Sequence, residues 1–326
     1  MMSSEKWTIP PQGGHMDRAT SIYYQTMNGK QIEERLKVND VLILPIGSTE
    51  NHGKNACSGE DTFLVTRLAE AVAQKTGCTV AEPIWYGSHP FHHLGMPGTV
   101  VIPEEDLAAY IRAVVAGFWN SGFRKIILLN GHGQDYVIPL AIHQFAKKYQ
   151  VPAILVNVNW WFVIPQYLRD KKHGGVFETP FVHADEVETS YSMALFPEMV
   201  DQSFAEKTKP MKIFPDGHIN KSGSVYRDEA PIDFWLQVGA SAIEVVSTPE
   251  GVVGDATLAD PEKARPGVYA ILDYLEKLIT DILKMYPAGK LPPIEAMSMR
   301  DRKVVEDVLK GPLNGGTHLY TLGYPT

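Results

Sequence analysis

The sequence predicts an α/β fold, a three-layer α/β/α arrangement with a mainly parallel central sheet. Two apolar runs, Val41-Leu42-Ile43-Leu44-Pro45-Ile46 and Ile126-Ile127-Leu128-Leu129, are too short for buried helices. Their unbroken hydrophobicity is that of strands covered on both faces. Segments of helical period alternate with such runs, the pattern of parallel strands joined by right-handed crossovers. With 326 residues the chain is long enough to bury a large core.

Taken in order, Val41–Ile46 is closed by Gly47 and reads as a central strand. From Thr62 to Lys75, Phe63, Leu64, Leu68, Ala69 and Val72 recur at helical spacing, and the segment stops before Gly77. Val80–Tyr86 reads as a strand, Glu104–Trp119 as a helix and Lys125–Leu129 as a strand. Tyr136–Tyr149 follows as a helix and Ala153–Val158 as a strand, and Glu186–Leu195 is a short helix that Pro197 helps to end. Pro210, Pro215, Gly217, Gly223 and Pro231 interrupt any period, so loops are expected there. Ala242–Val246 offers one more strand, Gly251-Val252-Val253-Gly254-Asp255 a turn, and Gly267–Met285 a long helix. Residues 1–290 are expected to form one domain. Residues 291–326, with a charged helix near Met299–Lys310, form an extension that packs on it or on a neighbouring subunit.

The bulk properties are those of a soluble enzyme. A net charge of −8 and a pI near 5.8 give no reason to expect nucleic acid or an anionic membrane as partner. Two cysteines suit neither a disulfide framework nor a cysteine zinc site. The N-terminus lacks the apolar core of a signal peptide, and no run approaches the ~20 apolar residues of a membrane helix. A cytoplasmic location is the expectation.

Chemistry is concentrated in three places. Gly47-Ser48-Thr49-Glu50-Asn51-His52-Gly53, continued to Asp61, puts two carboxylates and an imidazole at the end of the first strand. Asn130-Gly131-His132-Gly133 ends the second apolar run, and His183-Ala184-Asp185-Glu186-Val187-Glu188-Thr189 adds an imidazole and more carboxylates. Ligands of α/β proteins bind outside the carboxyl ends of the strands. Glu50 and His52, two apart on an extended segment, project to one side. Asp61 alone would read as a helix N-cap, and Glu50 and His52 alone as loop residues. Together with His132 they have the ligand mix of zinc or manganese. The excess of carboxylates suits two ions about 3.5–4 Å apart, with Asp61, the shortest side chain, as a suitable bridge. Gly131-His132-Gly133 resembles the start of a dinucleotide fingerprint, but Tyr136 stands where its third glycine belongs. No phosphate-binding loop is present.

These blocks resemble the creatininase (creatinine amidohydrolase) family. Leu44-Pro45-Ile46-Gly47-Ser48-Thr49-Glu50-Asn51-His52-Gly53 with Asp61-Thr62 is similar to its opening signature. Asn130-Gly131-His132-Gly133 and His183-Ala184 with Glu188-Thr189-Ser190 are similar to its next two. His93-Leu94-Gly95-Met96-Pro97-Gly98-Thr99 and Gly251-Val252-Val253-Gly254-Asp255 are softer matches. The resemblance implies a creatininase-like three-layer fold, two divalent ions (zinc, manganese or both) and a homo-oligomer, often a hexamer. It further implies Glu50, His52, Asp61 and His132 as metal ligands, with Asp61 bridging, and His183 as the proton-transfer residue. Creatininase proper has a ligand glutamate at the position of Gln134, so Glu188 or Asp135 is expected as the fifth ligand.

The Glu-Asn-His-Gly-Lys-Asn and Gly-His-Gly-Gln-Asp runs also resemble hydrolases that open oxidised (keto-) inositols. Lys54, His93, Gln134, Asp135 and Trp160 are then expected to meet substrate. The expected reaction is attack of metal-activated hydroxide on a carbonyl of a small ring, breaking a C–C bond in a keto-inositol or a C–N bond in a cyclic amide. Creatinine hydrolysis proper and a non-catalytic metal-containing binder are the alternatives. A structural zinc site fits less well, being closed and usually cysteine-rich.

Overall fold

The computed structural model describes residues 6–7, 22–89, 95–149, 151–209 and 248–292, and the backbone of 319–322. In chain order the main elements are α1 (Gly29–Val38), β1 (Val41–Ile46), α2 (Glu60–Thr76), β2 (Thr79–Val80), α3 (Glu104–Asn120) and β3 (Lys125–Asn130). Then come α4 (Val137–Tyr149), β4 (Ala153–Asn159), α5 (Trp160–Val163), α6 (Glu186–Leu195), α7 (Pro261–Met285) and β5 (Leu319–Leu322).

The strands lie in the order β2-β1-β3-β4-β5, all parallel. Successive side chains on a strand point to opposite faces, and that alternation divides the interior into two cores. Val41 and Ile43 join Ile127 and Leu129 beneath α2, α6 and α7, whose Leu68, Tyr191 and Leu272 are buried there. Leu42, Leu44 and Ile46 join Ile126 and Leu128 beneath α3 and α4, against Ile111 and Phe145. The three-layer α/β/α fold follows from this two-sided burial.

Two expected elements differ in extent. The second strand holds its ladder only over Thr79–Val80; Pro83 then supplies no N–H, and Ile84 and Gly87 make single bridges to Ile46 and Val101. The long helix begins earlier than expected, at Pro261, because Asp260 caps it by accepting from the Glu262 N–H (2.9 Å). Helix α1 was not foreseen. Its signal is the Asn-x-x-Gln capping box, in which Asn28 Oδ1 accepts from Gln31 N–H (3.0 Å) and Gln31 Oε1 from Asn28 N–H (2.8 Å). Ala242–Val246 and Met299–Lys310 lie outside the described residues. Among the described residues, no helix is long and apolar enough to cross a membrane.

Register sets where function can sit. Ile46 pairs with Asn130 and Asn130 with Asn159, so β1, β3 and β4 end level and their loops leave one edge together. Helix α2 comes very close to that edge. A Cβ built on Gly131 would collide with the Asp61 carbonyl oxygen, and one on Gly47 with the backbone of Thr62. Gly131→Ala should therefore push the first turn of α2 away from the β3 loop. We expect a loss of about 1–3 kcal/mol in denaturant unfolding, the usual cost of overpacking.

Candidate metal centre

The first turn of α2 carries Glu60 and Asp61 at the positive end of the helix dipole, the favourable end for anions. The N-cap is Gly59, so Asp61 is not the cap; its carboxylate points at the strand ends, with Ser48 Oγ donating to it at 2.5 Å. The β1 loop brings Glu50 and His52 to the same place, and the β3 loop brings His132. Asn130 holds that last loop: its Nδ2 donates to the His132 carbonyl (2.7 Å) and its Oδ1 accepts from the His132 N–H (3.2 Å).

The third segment enters through α6. Asp185 caps it by accepting from Val187 N–H (2.7 Å) and Glu188 N–H (3.1 Å), and it also accepts from Val182 N–H. Burial pushes the Asp185 carboxyl up to about 7, against those backbone donors. Ala184 adopts a left-handed φ of 49°, uncommon for a residue with a Cβ. That bend sets His183 beside the β1 loop, where its Nε2–H donates to the Asn51 carbonyl (2.8 Å).

The result is a buried cluster in which His52, His132 and His183 each turn one nitrogen to a backbone carbonyl and the other inward. His52 Nδ1 lies 3.1 Å from the Glu50 carbonyl, and His132 Nε2 lies 3.1 Å from the Ser88 carbonyl. Such outer hydrogen bonds fix the tautomer of metal-binding histidines. The inward His52 Nε2 stands 3.5 Å from Glu60, 3.6 Å from Asp61 and 3.8 Å from Glu188. These spacings are long for hydrogen bonds. Two atoms each bound at ~2.1 Å to one tetrahedral ion would sit about 3.4 Å apart. Moreover, His52 Nε2 and Glu60 Oε2 are buried without a hydrogen-bond partner. Orphaned buried polar atoms of this kind fit a bound cation.

Among the described residues, three candidate ligand groups emerge: His52, Glu60, Asp61 and Glu188; Glu50, His52 and His183; and Glu50, His89 and His132. Glu50, Glu60, Asp61 and Glu188 are all buried. Among the described residues, no lysine or arginine pairs with Glu60, Asp61 or Glu188; their cationic partners are imidazoles. Burial alone would lower the His132 pKa, yet Glu50 and Asp61 carry it up to about 10. Burial likewise disfavours charged His52, and Asp61, Glu60 and Glu188 more than reverse that. Burial lifts Glu60 to about 8, opposed mainly by His52, while Asp61, despite its burial, is held well below the carboxylate range by His132 and His52. The pocket is charged for cations, and a divalent ion would displace the protons these imidazoles otherwise attract.

Of the expected residues, Glu50, His52, Asp61, His132, Glu188 and His183 come together. Asp135 does not join a ligand group; its Oδ1 accepts from Asn159 Nδ2 (2.8 Å). Lys54 is exposed and ion-paired with Glu206 (2.6 Å). Gln134 and Trp160 are placed inside the protein. Gln134 is fully buried and tied into the scaffold, and Trp160 lies in the core against Tyr191 and Phe181, where a large apolar ring gains most. His93 lies outside the described residues. Two members were missed. Glu60 looks like a first-turn acid complementing the helix dipole, and His89 opens a run of three histidines, His89, His92 and His93; its position just after the β2 region was its signal.

The family model described as creatininase, creatinine amidohydrolase, matches residues 25–279. The chain belongs to the creatininase family. A 3-dehydro-scyllo-inosose hydrolase of Thermotoga maritima is 59% identical over 309 residues, covering 94% of this chain and 99% of that protein. Creatinine amidohydrolase of Pseudomonas putida is 27% identical over 203 residues, 56% of this chain and 74% of that one. The structure of creatininase with manganese superposes with a TM-score of 0.62 at 22% identity, covering 82% of this chain and 100% of that one. At that identity the superposition establishes the creatininase fold alone. Family membership and the hydrolase relative together make this creatininase-family chain a metal-dependent hydrolase.

Proposed function

We propose that this protein opens the ring of a small cyclic keto-inositol of the 3-dehydro-scyllo-inosose type by C–C hydrolysis, using two divalent ions, zinc, manganese or both. The 59% identity to a hydrolase of that substrate along nearly the whole chain carries the reading. Glu50, Asp61 and His132 would hold one ion, and His52, Asp61, Glu60 and Glu188 the other, with Asp61 shared between its two imidazole neighbours. When bound, such a pair lowers the pKa of water toward neutrality and polarises a substrate carbonyl. A cytoplasmic location and a homo-oligomeric, hexamer-type assembly belong to the same reading.

The chain's own residues supply orientation and proton transfer. Ser48 holds the Asp61 carboxylate, and the Ser88 and Glu50 carbonyls hold the imidazole rings of His132 and His52. His183, fixed through Nε2–H to Asn51, keeps Nδ1 facing Glu188 at 3.7 Å. In ring opening the water oxygen bonds to the carbonyl carbon, the adjacent C–C bond breaks, and its electron pair leaves on carbon as an enolate. His183 would deliver the proton that this carbon requires.

His183→Ala should keep the full metal complement and lower turnover by about 10²–10⁴-fold, read by elemental analysis beside steady-state kinetics. Loss of metal in that variant would make His183 a ligand instead. The substrate itself is tested by offering the metal-loaded protein keto-inositols, creatinine and other cyclic amides. We expect a ring-opened acid one water heavier from the keto-inositol; turnover of creatinine alone would overturn the assignment.

A further inference from the structure

We propose that His89 is a metal ligand, completing the ion site formed by Glu50 and His132, and that Gln134 is the residue that positions it. The inference rests on the dinuclear reading above. His89 is buried, its Nδ1 lies 3.7 Å from Glu50 Oε1, and its ring centroid is 4.4 Å from that of His132. One ligand atom from each of Glu50, His89 and His132 falls within 4.8 Å of the others. The 3.7 Å separation is too long for a direct hydrogen bond and matches two ligands of one cation.

What brings His89 there is its neighbour Ser88. The Ser88 N–H donates to Gln134 Oε1 (3.0 Å), and the Ser88 carbonyl accepts from His132 Nε2 (3.1 Å). The other end of the Gln134 amide is anchored too, with Nε2 donating to the Gly47 carbonyl (3.1 Å) and to Asn130 Oδ1 (3.3 Å). One buried amide thus ties the ends of β1 and β3 to the segment carrying His89. An amide suits this task because it donates and accepts at once; a carboxylate could only accept from Ser88 and would repel the Gly47 carbonyl. Space there is closed as well, since a Cβ on Gly87 would meet Gln134 Oε1 at 2.9 Å. With the shared Asp61, His89 would give this ion two imidazoles and two carboxylates, donors of the kinds zinc takes.

The test measures metal binding by titrating stripped full-length protein with Zn²⁺ and with Co²⁺, using elemental analysis for stoichiometry and the visible Co²⁺ spectrum for the donor set. Wild type should bind two ions. His89→Ala should weaken one of them by more than the ~100-fold that removing an outer-sphere partner costs, with the other unchanged. Added imidazole should restore the lost ion and its spectrum. Gln134→Ala should weaken the same ion by about 10–100-fold without changing its donor set, as a positioning residue would. His89→Gln, of similar size, guards against misfolding and should lose the same ion. If wild type binds two ions and the His89 variants bind both within 100-fold of its affinity, His89 is no ligand and the inference fails by itself. If wild type binds fewer than two, the dinuclear reading fails and takes the inference with it.

Discussion

His132→Ala is expected to abolish turnover and to lose bound metal in the same preparation. The imidazole stands 2.9 Å from Glu50 and 3.2 Å from Asp61, the two carboxylates proposed to hold the same ion with it. Removing it leaves buried carboxylates facing one another with less positive charge between them. Water and protons can relieve that repulsion, but neither can polarise a substrate carbonyl. His52→Ala should behave alike, since its Nε2 is the shared neighbour of Glu60, Asp61 and Glu188. Activity loss should exceed anything seen for His183→Ala, and metal content by elemental analysis should fall with it. A His132→Ala protein that kept both ions and most of its turnover would remove this residue from the centre.

A second large effect is expected at the opposite end of the same strands. Lys125, the first residue of β3, donates to both oxygens of Asp40 (2.5 and 2.7 Å), just before β1, and both side chains are buried. Asp40 also accepts from the Gly289 N–H (3.2 Å), tying in the chain beyond α7. Lys125→Met would strand a buried carboxylate with one backbone donor, and we expect a loss of about 3–5 kcal/mol in urea unfolding. The double variant Asp40→Asn, Lys125→Met should recover most of that loss, because a buried pair replaced as a pair is often near neutral. Metal stoichiometry should be unchanged throughout, since β1 and β3 separate this pair from the metal-binding edge. A single variant as stable as wild type would mean that water reaches the site.

The fold was legible because each central strand is an uninterrupted apolar run and each covering helix keeps a clear period. Proline obscured the β2 region, where Pro83 ended a ladder that hydrophobicity alone suggested would continue to Tyr86. Glu50, His52 and His132 could be grouped from the sequence because they follow strands ending at one level, and Asp61 because it opens the helix after the first of them. Glu60 and His89 were not, because only burial sets them apart from an ordinary first-turn acid and an ordinary loop histidine. Gln134 was read as facing substrate for the complementary reason. A polar residue beside a candidate ligand histidine invites a substrate role, while its three hydrogen bonds to Ser88, Gly47 and Asn130 exist only in three dimensions. Trp160 follows the same logic, since a strand-end aromatic can wall a pocket or fill a core, and here Tyr191 and Phe181 enclose it.

The most direct test strips the protein with a chelator, then returns Mn²⁺ or Zn²⁺ stepwise while following keto-inositol ring opening by mass spectrometry. The account predicts no product from stripped protein and activity that rises until about two ions per chain are bound. Full turnover by the metal-free protein would contradict it.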